Sequence, residues 1–159
     1  MPEIDKSKLR IPPQSLEAEM ALLGSIMLRP DCIYEVMDIV SANSFYFEKH
    51  RTIFEIMLEI FGKHQPIDIL SLSSRLKEKG VLDRIGGTTF LTELTSIVPS
   101  SANVKHYAEI VEKKFMMREL INASEFISHL GFDESGELEE ILDHAEKKVF
   151  DITQHFSSA

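Results

Sequence analysis

The chain is poor in the residues that build stapled folds and metal centres. Of 159 residues only one is cysteine, Cys32, so neither a disulfide framework nor a cysteine-rich zinc site can form, and a reducing cytoplasm is the expected compartment. Seven glycines and six prolines are too few for a low-complexity or collagen-like chain. Positive charge is also scarce. There are 17 lysines and arginines against 26 carboxylates, a net charge of -9. That balance argues against a free-standing nucleic-acid binder, which needs a basic surface to release counterions from phosphates. No segment approaches the roughly 20 apolar residues of a membrane span. The opening MPEIDKSKLRIPPQ has no apolar signal region, so no membrane partner is expected.

Catalytic patterns are missing too. A phosphate-cradling loop needs glycines, a lysine and a Ser or Thr at fixed spacing. The Gly62-Lys63 pair is followed by His64, and the position of the earlier glycine holds Met57. The six histidines never fall in a ligand spacing, so no metal and no cofactor are expected within these residues. Cys32 has no histidine nearby and reads as a buried helical thiol rather than a nucleophile. Glu139, Glu140 and Asp143 read as a solvated helix face, with Lys147 in pairing range of Asp143. The chain is therefore expected to have no catalytic residue and to be no enzyme by itself.

What is present is helical periodicity with a 43% hydrophobic share, enough for a core. Residues 1–12 read as a flexible arm ending at Pro12-Pro13. Ser15 can cap a first helix with Leu16, Met20, Leu23 and Met27 inward, and Gly24 on it suits a close helix crossing. Pro30 suits the start of a second helix with Ile33, Val36, Met37 and Val40 inward. A third runs from His50 to Phe61 after the aromatic connector Phe45-Tyr46-Phe47. Asp68 caps a fourth that Gly80 stops. The Gly86-Gly87 turn introduces a fifth carrying Phe90, Leu91, Leu94 and Ile97, although four threonines between Thr88 and Thr95 weaken it. No stretch alternates with a period of two, so the expected fold class is all-α: a small helical bundle over 13–99, then a C-terminal antiparallel helical hairpin over 100–154, with 155–159 either beginning a linker or simply ending the fragment.

The hairpin rests on a helix expected from Ser100 to Leu130, far longer than the usual 11–12 residues or so. Its apolar residues fall in two phases, Val104-Ala108-Val111-Phe115 and then Met116-Leu120-Ala123-Ile127-Leu130, each with four-three spacing. The one-residue offset rotates the stripe by about 100°. The first half should pack on the bundle. The second half should meet a last helix along Leu138, Leu142, Ala145, Val149 and Ile152, making an inner seam. Met117, Ile121, Phe126 and Phe150 lie off that seam, so two hairpins are expected to pair into a four-helix arrangement, with these four as candidate dimer or partner contacts. The competing reading is a single-stranded DNA module using Lys105, Lys113, Lys114 and Arg118.

Several strings occur in order: Ile11-Pro12-Pro13-Gln14-Ser15-Leu16-Glu17-Ala18-Glu19; Ser44-Phe45-Tyr46 with His50-Arg51 and Ile53-Phe54; Pro66-Ile67-Asp68; Ile85-Gly86-Gly87; and Pro99 through Lys113. Together they resemble the N-terminal, collar domain of the bacterial replicative DNA helicase, the DnaB family, over about residues 11–154. The resemblance implies an orthogonal bundle plus hairpin, with Leu16, Met20, Leu23, Phe45, Phe54 and Tyr107 in the core. It implies pairing through the hairpins, a trimer of dimers on a hexamer, and docking of the primase C-terminal helicase-binding domain. It also implies a helicase loader as partner. DNA would be reached through an ATPase domain that uses ATP and magnesium, whose phosphate-binding loop and arginine finger have no counterpart in these residues.

Overall fold

The computed structural model describes residues 10–157, and among these the chain is all-helical with no strand. Helix α1, Leu16–Leu28, begins where the Ser15 hydroxyl accepts from the Ala18 N–H at 3.1 Å. It is the central element, buried from Ala18 through Met27, and it packs on α6, α5 and α3. Its crossing with α5 depends on Gly24: a Cβ there would lie 2.1 Å from the Leu94 carbonyl oxygen and 2.4 Å from Val98. The expected close crossing is real.

After Pro30 the chain makes a 3-10 turn, Pro30–Cys32, and then only one turn of α2, Ile33–Val36. This is shorter than expected. Val40 still reaches the core because its N–H returns to the Val36 carbonyl at 3.0 Å, closing the segment back on itself. Met37, expected inward, is exposed at the end of α2. A 3-10 turn, Ala42–Ser44, leads through the aromatic connector into α3, Glu48–Gly62. Helix α4, Ile69–Glu78, is capped by Asp68, which accepts from the Ser71 N–H at 2.7 Å. It ends at Gly80, whose φ of 71° suits a residue without Cβ.

Helix α5, Gly87–Ser96, follows Gly86 in a left-handed conformation at φ 107°. Its threonines do not prevent it: most face solvent, and Thr92 back-bonds to the Thr88 carbonyl. Ile97 caps the helix and is exposed rather than inward. Leu16, the first residue of α1, is likewise exposed, so the expectation that it is core is corrected. Met20, Leu23, Phe45 and Phe54 are buried; Tyr107 is half-buried and donates to the Ser100 carbonyl at 3.1 Å.

Ser100 starts a 3-10 turn, Ser101–Asn103, and α6 then runs from Val104 to Phe132. Gly131 stays within this helix, which ends two residues later than expected. A short turn leads to α7, Leu138–Ser157, which lies antiparallel against α6 and continues through His155, where a linker was expected. The expected arm over 1–12 falls mostly outside the described residues.

Candidate assembly surface

Helix α6 changes partners along its length. Val104, Ala108 and Val111 are buried against the bundle, and Phe115 is half-buried beside them. Beyond that point α7 covers the inner face, while Arg118 and Ile121 on the other side still meet the chain entry and the aromatic connector. Ala123 is 1% exposed, and Met116, Ile127 and Leu130 are half-buried on the same face. The two-phase stripe thus corresponds to two packing environments.

On α7 the seam is not the one expected. Ile141, Ala145 and Ile152 are half-buried, whereas Leu138, Leu142 and Val149 are exposed, as is Leu120 on α6 at 60%. These four are corrected from seam to surface. Ile141 was missed, although its spacing to Ala145 and Ile152 matches that of the Leu138-Leu142-Val149 row. The apolar band on α7 is wider than one contact, and only packing chooses its inner edge.

Two contacts mark which edge faces the bundle. The Lys148 ammonium stands 4.9 Å over the Phe126 ring, and the His155 ring meets Phe115 at 6.2 Å between centroids. His155 also reaches Glu112 at 3.0 Å, and the Ser44 hydroxyl donates to that same carboxylate at 2.7 Å. Phe126 is three residues after Ala123, and Lys148 three after Ala145. Leu120 and Leu142 are three residues before them, so they border the opposite edge of the seam. There Met117 and Leu120 of α6 lie alongside Leu138, Leu142 and Val149 of α7, all exposed.

The four candidate contact residues are all exposed, but they do not form one patch. Met117 borders this apolar edge. Phe126 lies on the bundle-side edge under Lys148. Ile121 lines a groove with Ile11, Tyr46 and Arg118, and Phe150 points away from the seam on α7.

The basic cluster is also divided. Arg118 donates to the Pro13 carbonyl at 2.7 Å and the Ser44 carbonyl at 2.9 Å, and its guanidinium packs on Tyr46 and Phe115. Burial pulls its pKa downward. It fastens the entry of the chain to α6 rather than facing solvent phosphate. Lys105 and Lys113 are exposed and Lys114 is half-buried. The aromatic connector is core: Phe45 is buried, and the N–H groups of Tyr46 and Phe47 donate to the buried Glu19 carboxylate. Lys63 of the Gly-Lys pair is ion-paired to Glu59. Among the described residues no three His, Cys, Asp or Glu side chains are grouped to hold a metal, and no helix is long and apolar enough to cross a membrane.

Comparison with known proteins agrees with this architecture. Residues 11–113 match the DnaB-like helicase N terminal domain family. The chain is 37% identical over 145 residues to the replicative DNA helicase DnaB of Geobacillus stearothermophilus, covering 91% of this chain and 32% of that protein. It thus spans about a third of that relative's length. The N-terminal domain of DnaB helicase from Mycobacterium tuberculosis superposes with a TM-score of 0.85 at 33% identity, over 89% of this chain and 99% of that one. A DnaB-like replicative helicase described with its interactions with primase superposes at 0.72 and 27% identity, over 87% of this chain and 31% of that one. The chain belongs to the family of DnaB-like helicase N-terminal domains.

Proposed function

We propose that this domain is a non-catalytic assembly module of a hexameric replicative helicase. Its hairpin pairs with a second copy, three such pairs form a collar, and the same region receives the helicase-binding domain of primase. The carrying observation is the exposed apolar edge of Met117, Leu120, Leu138, Leu142 and Val149, which an isolated hairpin leaves in water. Burying such surface is worth roughly 25 cal/mol per Å². The primase role draws on the structural relative described with primase. ATP and magnesium would act in the rest of the parent protein, because the residues present here offer no phosphate-binding loop, and DNA and a loader would be reached there too.

Sedimentation velocity over a micromolar-to-millimolar series tests the pairing. Self-association is expected, and it should weaken in Leu120→Asp and Val149→Asp. Both side chains are exposed within one copy, so helicity should survive. A strict monomer across the series would sink the pairing claim. Failure of the primase C-terminal domain to bind at those concentrations would separately remove the docking claim.

A further inference from the structure

The net charge of -9 is not spread over the molecule. Nine carboxylates lie between Glu119 and Glu146, with no lysine or arginine among them. The other 17 carboxylates balance the 17 lysines and arginines of the remaining chain. The whole excess therefore sits on the far half of the hairpin. Six of those carboxylates crowd its tip: Asp133, Glu134, Glu137, Glu139, Glu140 and Asp143, all exposed. Hydrogen bonds from the Ser135 hydroxyl and N–H hold the Asp133 carboxyl below its ordinary range.

Large apolar side chains stand among these charges. Phe132 is 85% exposed, Leu138 69% and Leu142 57%. Glu139 and Glu146 are the i−3 and i+4 neighbours of Leu142, so carboxylates line the outer side of the apolar edge. Toward the base the character changes: over residues 104–118 and 147–157 six lysines and arginines stand against three carboxylates, and Lys113 is the i−4 neighbour of Met117. Two copies meeting tip to tip would oppose six carboxylates with six. Two copies meeting at the base would not.

Resting on the reading of the hairpin as an assembly surface, we propose that its tip docks a cationic amphipathic helix of a partner protein, while a second copy pairs nearer the base. The complementary charge selects the partner, and the apolar edge supplies the contact. The two occupants then respond to salt with opposite sign. Screening weakens the cationic partner, but it relieves repulsion between two acidic copies.

The test uses the whole chain and a fluorescent helix-forming peptide of leucine and lysine, with a leucine–glutamate peptide as counterpart. The lysine peptide should bind, with amide shifts centred on residues 132–146, and the glutamate peptide should not. Affinity should fall about tenfold or more in Glu139→Lys/Glu140→Lys/Asp143→Lys, and severalfold as sodium chloride rises from about 50 to about 300 mM. Glu134→Lys/Glu137→Lys, at the turn, should act in the same direction if the first variant loses helicity. Self-association should hold or strengthen with salt and with either reversal. Undiminished peptide binding by both variants, or shifts centred on the bundle, would overturn the proposal. So would loss of self-association on reversal, which would put the second copy at the tip. A chain that stays monomeric yet binds the peptide at the tip would remove the pairing, at the base included, and support the docking at the tip.

Discussion

Glu19 is the residue on which three segments converge. From α1 its buried carboxylate meets His50 Nδ1 of α3 at 2.8 Å and accepts from the Tyr46 N–H at 3.0 Å. The Phe47 N–H donates to it at 3.4 Å. Removing the carboxylate strands the buried His50 imidazole and two part-buried N–H groups together. Glu19→Ala should therefore cost about 3 kcal/mol or more, read as a lower urea midpoint. A loss within the range of a surface substitution would refute this account. At the surface, Glu59 gathers Arg75, Lys79 and Lys63. Its hydrogen bond to Arg75, then that to Lys79, lowers its pKa from 4.5 to about 2. A depressed carboxylate stabilises the fold above the unfolded value and loses that contribution as pH falls through the folded one. Glu59→Gln should lower the melting temperature near neutral pH. Between pH 4.5 and about 2 its stability should fall less steeply than that of the wild type.

At the scale of elements, the α1–α5 crossing is the most constrained contact. Gly24→Ala would drive a methyl into the Leu94 carbonyl and Val98, and backbone cannot yield as a flexible side chain can. Overpacking of this kind costs about 1–3 kcal/mol. A lower midpoint with unchanged helicity is expected, and unaltered stability would mean that α1 and α5 separate freely. Most elements were readable from local chemistry. Ser15, Asp68 and Gly80 mark helix ends that short-range hydrogen bonds enforce. Sequence spacing extends the second helix too far, because Val36 and Val40 keep helical spacing while the chain is already turning to bring both into the core. The threonine-rich α5 shows packing of Phe90, Leu91 and Leu94 outweighing mediocre propensity.

At the scale of the molecule, the hairpin projects an apolar edge and an acidic tip from a charge-balanced remainder. Leu120→Asp or Val149→Asp should weaken self-association by about tenfold or more, because a charge placed in a pairing contact must be desolvated. Phe126→Asp should weaken it less, since Phe126 lies on the other edge beneath Lys148. Equal losses from Phe126→Asp and Leu120→Asp would mean that the pairing face is assigned wrongly. The candidate surface was only partly legible for a geometric reason: Met117, Ile121, Phe126 and Phe150 share exposure but not a side of the hairpin.

The sequence by itself determined that the chain is helical, where its caps and glycine stops fall, and that its longest helix serves two environments. These follow from interactions within a turn or two of each residue, which local spacing records. It also carried the family, through strings kept in order. Tertiary structure alone decided which row of α7 became the seam. The Leu138 and Ile141 rows obey the same period, so their roles depend on how α7 rolls against α6. That roll is marked by Lys148 on Phe126 and His155 on Glu112 and Phe115, contacts between residues far apart in the chain. The same packing turned Arg118 inward, from a candidate phosphate ligand into the tie between Pro13 and Ser44.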